Sequence, residues 1–456
     1  MTLFSSAQVC AEQNNPFENV MPTLGKPFYF YQKDKIPNGA VLLFSDVNGW
    51  GNRELEIAGT LSKAGQLVIG IDTPSMLQHM ASSTESCVNV IGEIENVSRN
   101  SQRVLGTPSY HFPVVAGIGL GATMAAAVAS QTEPATLEHF SLVDPLPRLP
   151  GQKSLCALPG GRMPDVSSEG AQHFLMSGTL PFEINVLLSS KATEASRLWG
   201  RNWSVVRPDI VRVQESTLSP EAALLEGIQA ALTRPVKPRI AALNSKIEDV
   251  SDLPLEEIPV TTPPDTFAVF YSGDGGWRDL DKDLSAYLKE DGLPVVGVDA
   301  LRYFWHEQTP EQSTRDLERI IRSYQEKWGA KKVVLIGFSF GADLIPILYN
   351  NLSPEIKASV VQITLLGLSK DAIFEVSLDS WLNSKPADAP KTLPEVAKIK
   401  PELMQCFYGE EDTLNVCTQL EGTGIEVIRT RGGHHFNYEY QWLAKKIIER
   451  VERPKL

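Results

Sequence analysis

The sequence predicts an α/β protein of two tandem, doubly wound parallel-sheet domains, the first of them degenerate. Three observations carry this. The chain has 456 residues, too many for one ordinary core. Short β-branched apolar runs alternate with helical segments along its whole length, which is the pattern of a parallel sheet covered on both faces. The same series of strand, turn, helix and strand also occurs twice. Ser45 and Ser272, Trp50 and Trp277, Gly70 and Gly297, and Asp72 and Asp299 are all separated by one interval.

In the first half, Ala40 to Ser45 reads as a strand, Asp46 to Gly51 as a turn, Arg53 to Ala64 as a helix and Leu67 to Asp72 as a strand. Val114 to Ile118, Phe140 to Val143, Phe182 to Leu188 and Ile210 to Val213 are further strands, and Pro220 to Leu232 is a closing helix. Residues 1–235 therefore form one domain. Arg234 to Asp265 is rich in proline and charge and reads as a linker, placed at 236–265. Residues 266–456 form the second domain. Its strands are Phe267 to Ser272, Leu293 to Asp299, Lys332 to Ile336, Val360 to Leu366, Met404 to Tyr408 and Glu426 to Thr430. Thr309, Pro310 and Gln312 supply a cap, a first-turn proline and a capping box for a helix that Gly329 stops after Trp328. A helix from Tyr438 to Val451 ends the fold.

The stretch from Lys332 to Asp343 is a buried strand running into Gly337-Phe338-Ser339-Phe340-Gly341 and then into a helix. That context makes G-x-S-x-G a nucleophile elbow, with Ser339 at its apex and the Phe340 N–H aimed at an oxyanion. A serine hydroxyl needs a base, and the base needs a carboxylate, in the chain order Ser, acid, His. Asp412, in the loop after Met404 to Tyr408, is the expected acid, with Glu410 and Glu411 as competitors. His434 is the expected base and His435 its alternative, since spacing does not separate neighbours. The turn Gly273-Asp274-Gly275-Gly276 should give the second oxyanion donor, from Asp274 or Gly275. In the first half Gly119 stands where Ser339 stands, and none of His79, His111, His139 and His173 follows the last strand. That half is expected to be inert.

A net charge of −13 argues against nucleic acid and against a basic membrane-binding face. No stretch is long and apolar enough to span a bilayer. No metal-ligand spacing occurs, and no cofactor is expected. Met1 to Ala7 has neither a basic start nor an adequate apolar core, so no complete signal peptide is expected. Cys406 and Cys417 flank the acid loop and are either bridged, as in an oxidising compartment, or free; Cys10, Cys87 and Cys156 are scattered.

The second half resembles the bacterial VirJ/AcvB family of α/β-hydrolases. The resemblance rests on Ser272 to Trp277, Tyr303-Phe304-Trp305 with Thr309-Pro310-Glu311, Gly337 to Asp343, and Gly432-Gly433-His434-His435-Phe436. The length resembles the longer AcvB-like members. The resemblance implies two α/β-hydrolase-like domains, a Ser339, Asp412 and His434 triad, and a pocket with Asp274 and Asp343 beside it. It also implies a periplasmic hydrolase of aminoacyl-phosphatidylglycerol, the lysyl lipid above all, with export after loss of a leader and links to virulence and type IV secretion. Trp277 and His435 are further expected substrate contacts. The expected partner is an aminoacylated phospholipid at the membrane surface, with a secretion-system or virulence protein as a second. A general esterase or thioesterase, and a binding scaffold for secretion, are the alternatives.

Overall fold

The computed structural model describes residues 21–85, 87–129, 131, 137, 139–151, 153, 155–156, 165–166, 171–173, 183–206, 208–233, 249–262, 264–376 and 389–452. Residues 1–20, including Cys10, and the linker residues 236–248 lie outside this set. The chain divides into two compact units, with the main boundary between Thr233 and Arg234.

The first unit holds a seven-stranded sheet of β1 (Phe28–Phe30), β2 (Ala40–Phe44), β3 (Leu67–Ile71), β4 (Val114–Ile118), β5 (His139–Val143), β6 (Glu183–Leu188) and β7 (Val211–Glu215), in the order β1-β3-β2-β4-β5-β6-β7. The second holds β8 (Leu255–Ile258), β9 (Thr266–Tyr271), β10 (Val295–Val298), β11 (Lys332–Phe338), β12 (Val360–Leu366), β13 (Met404–Gly409) and β14 (Glu426–Thr430), in the order β8-β10-β9-β11-β12-β13-β14. The two orders are the same. In each sheet the first strand pairs antiparallel at one edge and the other six run parallel. Each strand order reverses direction at the centre, so crevices open at the carboxyl ends of the strands.

Apolar runs become central strands because both of their faces are covered. All five residues of β2 are buried, as are all five of β4. Helix α1 (Asn52–Lys63) turns Ile57, Ala58 and Leu61 inward, and α2 (Leu120–Ala129) is buried throughout. In the second unit, α3 (Asp279–Glu290) places Leu280, Leu284 and Leu288 in the core. Helix α4 (Pro310–Trp328) starts where Thr309 accepts a hydrogen bond from the Gln312 N–H at 3.1 Å and stops at Gly329, whose φ is +71°. Helix α5 (Phe340–Asn351) follows β11, and α6 (Tyr440–Val451) closes the chain.

The repeat extends to its hydrogen bonds. Ser45 Oγ accepts from the Thr73 N–H and Ser272 Oγ from the Ala300 N–H, both at 2.9 Å. Asp72 and Asp299 then cap the next helical turn through the N–H groups of Ser75 and Arg302. One expectation is corrected. Leu255–Ile258, read as linker, is the antiparallel edge strand of the second sheet. Its two glutamates disguise it, because an edge strand needs cover on one side only.

Candidate active site

The site is assembled at the carboxyl edge of the second sheet. Ser339 follows β11 directly, with φ +51° and ψ −115°. A serine pays for that left-handed backbone only where its surroundings fix it. Here the Ser339 N–H donates to the Leu366 carbonyl at 2.8 Å, and strand and helix meet too closely for side chains. A Cβ on Gly337 would fall 2.5 Å from the Gly341 backbone, and one on Gly341 would fall 2.2 Å from the Tyr271 carbonyl oxygen. The hydroxyl is therefore lifted out of the sheet at the head of α5. The Phe340 N–H finds no acceptor among the described residues.

His434 Nδ1 lies 2.6 Å from Asp412 Oδ2. That contact puts the ring proton on Nδ1 and leaves Nε2 as the basic nitrogen. The Asp412 side chain is buried. Burial alone would raise its pKa, but His434 and the backbone N–H groups of Leu414 and Asn415 hold the carboxyl below its usual value. The acid loop and the base loop are laced together. Glu410 N–H donates to the Thr430 carbonyl at 3.0 Å, and Glu411 N–H to the Gly432 carbonyl at 2.9 Å. A Cys406–Cys417 disulfide closes the acid loop at its base. The His434 ring packs on Phe338 with centroids 5.3 Å apart. Among the described residues Ser339 Oγ makes no hydrogen bond to His434; such bonds commonly tighten only with substrate in place.

The neighbours that spacing left open separate here. Glu410 is exposed and paired with Arg429, and Glu411 is exposed. His435 stacks on Tyr438, with centroids 6.0 Å apart, rather than meeting Asp412. In the turn, Gly276 N–H donates to the Gly273 carbonyl at 3.0 Å. A Cβ on Gly273 would lie 3.7 Å from Ser339 Cβ, so the turn that carries Asp274 and Gly275 starts beside Ser339.

Two of the expected substrate contacts are engaged by the unit itself. Trp277 is 4% exposed and lies over Gly297, where a Cβ would meet its ring at 2.4 Å. It fills the core under the turn. Asp343 is buried, and its two carboxylate oxygens accept from the Ser369 N–H and hydroxyl, both at 2.6 Å. It anchors the loop after β12.

The first unit keeps the scaffold and fills the hole. Gly119 has φ +56°, the left-handed geometry of the elbow. The next N–H, from Leu120, donates to Asp46 Oδ1 at 2.8 Å. Arg53 holds Asp46 at 3.0 Å. A Cβ on Gly119 would fall 2.3 Å from Asp46 Oδ1, so a serine there would collide with the carboxylate. Asp46 stands in the repeat where Gly273 stands, a signal that was present in the sequence. Beyond β6, Ser189 donates to Asp144 through its N–H and hydroxyl, and the two satisfy each other. A second disulfide, Cys87–Cys156, belongs to this unit. Among the described residues no cluster of potential metal ligands occurs, and no helix is long and apolar enough to cross a membrane.

Comparison with known proteins finds a family model that the second unit resembles. Residues 265–455 match the VirJ family model, described as bacterial virulence protein (VirJ). The second unit is thus VirJ-like from β9 to the end of α6. No curated protein matches the chain. Similar solved structures include a putative dienelactone hydrolase from Klebsiella pneumoniae subsp. pneumoniae MGH 78578, at 14% identity and TM-score 0.33, covering 47% of this chain and 96% of that one. Est1E from Butyrivibrio proteoclasticus with ferulic acid bound is similar at 10% identity and TM-score 0.33, covering 45% and 99%. A Pyrobaculum calidifontis esterase is similar at 16% identity and TM-score 0.33, covering 43% and 84%. These likenesses are distant. The α/β-hydrolase-like architecture of both units stands on their strand orders and on the elbow.

Proposed function

We propose that the VirJ-like unit is a serine ester hydrolase that cleaves the aminoacyl ester of aminoacyl-phosphatidylglycerol. The observation that carries the reaction class is the 2.6 Å contact of His434 Nδ1 with Asp412, on the same sheet edge as the strained Ser339 elbow. Ser339 Oγ attacks the aminoacyl carbonyl and His434 Nε2 takes its proton. The oxyanion settles on the Phe340 N–H and on the turn at Asp274 and Gly275. As the tetrahedral species collapses, the ester bond breaks and His434 returns the proton to the departing glycerol oxygen. Water, deprotonated by the same nitrogen, then attacks the acyl-serine and releases the amino acid. Asp412 keeps the imidazole in the required tautomer throughout.

The aminoacyl lipid rests on the resemblance of the second unit's motifs to the VirJ/AcvB family, of which the VirJ part agrees with the family model matched. A periplasmic location fits the two disulfides, which persist in oxidising compartments. The first unit, with Gly119 at the elbow and Asp46 in the hole, is assigned a non-catalytic role such as binding a secretion or virulence partner.

The test is to incubate the full chain with lysyl- and alanyl-phosphatidylglycerol in detergent and follow free amino acid. Release should fall by roughly 10⁴-fold or more in Ser339→Ala, while the disulfides and fold persist. Equal turnover by the variant would remove the mechanism. No release by a protein that still reacts with a fluorophosphonate would keep the triad and discard the lipid, leaving a general esterase or thioesterase.

A further inference from the structure

The hydrogen bond at Nδ1 fixes the tautomer of His434 but not the tilt of its ring. Where Nε2 points depends on what packs against the imidazole. Two groups do so. The Phe338 ring lies 5.3 Å from the His434 ring, centroid to centroid, at a tilt of 36°. Gly367, directly after β12, meets the imidazole at Cε1, where a Cβ would fall 2.8 Å away. The imidazole therefore sits in a slot lined by an aromatic ring and closed by bare backbone.

Phe338 reaches further than His434. It is the last residue of β11 and directly precedes Ser339. A Cβ on Gly273 would lie 3.4 Å from its Cδ1 and 3.5 Å from its Cε1, so the same ring supports the start of the Gly273 to Gly276 turn. Phe436, two residues past His434 and fully buried, packs on it with centroids 6.2 Å apart. Phe338 is itself buried, and a close-packed core gives its ring little room to shift. One side chain thus touches the imidazole, the loop that carries it and the turn beside Ser339.

The first unit supplies a comparison within the chain. Its elbow has Ile118 before Gly119, where the second unit has Phe338 before Ser339. Ile118 and Phe338 are each 6% exposed, so an aliphatic side chain fills this place in a core as completely as a ring does. The other wall differs too. The Asp144 N–H donates to the Leu187 carbonyl at 3.1 Å, as the Gly367 N–H donates to the Phe407 carbonyl at 2.9 Å. Asp144 therefore stands where Gly367 stands. The unit in which no histidine follows the last strand lacks both walls of the slot.

We propose that Phe338 is a positioning residue, whose ring sets the tilt of His434 toward Ser339 and ties it to the Gly273 to Gly276 turn. It touches no reacting atom and acts through His434 and Gly273. This rests on the ester-hydrolase reading of the site and is independent of which ester is cleaved.

The experiment compares the full chain with Phe338→Leu, Phe338→Tyr and Phe267→Leu on soluble p-nitrophenyl acetate. Leucine keeps most of the apolar volume and removes the flat face, and tyrosine restores that face. Phe267 is a fully buried phenylalanine on β9, paired with Val333 at the end of the sheet away from Ser339, so its replacement reports core damage alone. Phe338→Leu should lower kcat by about 10–100-fold, because small misplacements of a reacting group are costly. KM should stay within about 2-fold, and fluorophosphonate labelling of Ser339 should slow in step with kcat. Phe338→Tyr should recover kcat to within a few-fold of wild type, and Phe267→Leu should leave it unchanged. Phe338→Met takes the place of Phe338→Leu if the latter does not fold. Wild-type kcat without the ring, a tyrosine variant as slow as the leucine one, or an equal loss in Phe267→Leu would each overturn the proposal. A wild type that neither hydrolyses the ester nor takes up the fluorophosphonate would instead remove the hydrolase reading, and this proposal with it.

Discussion

Asp412 reaches His434 because its loop is pinned on every side. Its own N–H donates to the Gly409 carbonyl, its carboxylate accepts from the Leu414 N–H, and its carbonyl accepts from the Asn415 side-chain amide. In the proposed mechanism the carboxylate does two things for His434: it fixes the tautomer and it stabilises the imidazolium that would form during attack. Asp412→Asn keeps the size and loses both. We expect kcat to fall by roughly 10³–10⁴-fold with the fold intact and fluorophosphonate labelling slowed in step. A variant within a few-fold of wild type would mean that another carboxylate serves His434. Sequence alone left Glu410, Glu411 and Asp412 in competition, because spacing does not report burial. Ser339 was legible, because a β-branched strand, two glycines at close approach and a helix all had to coincide there. Asp343 and Trp277 were legible only as motif members. Their hydrogen bonds and burial tie them to the scaffold.

Elements set the pH response. Asp299 follows β10 and caps the next helical turn, where its carboxylate accepts from the Arg302 N–H. Burial raises its pKa to about 6. A folded-state pKa above the unfolded value gives stability that is complete at low pH and is lost as pH rises toward 6. Asp412 runs the other way. Its lowered pKa gives stability above the ordinary carboxylate range, lost as pH falls through it. Asp299→Asn keeps an acceptor for the Arg302 N–H and removes the charge. The variant should gain stability over wild type on going from pH 4 to pH 7, by about 2–3 kcal/mol at most. Urea midpoints at the two pH values measure it, and a difference independent of pH would refute it. At this scale most of the fold was readable: Val360–Leu366, Glu426–Thr430 and Pro220–Leu232 have the bounds that apolar pattern and caps suggest. The antiparallel edge strands were not. Phe28–Phe30 is three residues long, and Glu256 and Glu257 hide the period of Leu255–Ile258. Glu257 instead meets Tyr324 and Lys327 on α4.

For the molecule as a whole, the question is what duplication left in the first unit. Its strand order, its left-handed elbow at Gly119 and its capping aspartate at position 72 are those of the second. Two independent features argue against chemistry there. The Leu120 N–H, counterpart of the Phe340 N–H, is occupied by Asp46, and Arg53 holds that carboxylate in place. No histidine follows β7 to serve as base. A carboxylate seated 2.8 Å from this amide also shows, inside the same chain, that an elbow N–H of this fold binds anionic oxygen. Restoring the nucleophile should then restore nothing. In the full chain, Asp46→Gly/Gly119→Ser added to Ser339→Ala relieves the collision and supplies a hydroxyl, yet that hydroxyl still has no base. We expect no fluorophosphonate labelling above Ser339→Ala and no release of amino acid. Labelling at position 119, located by peptide mass, would show that the first unit keeps a working base and would make it a second catalytic site instead of an inert copy.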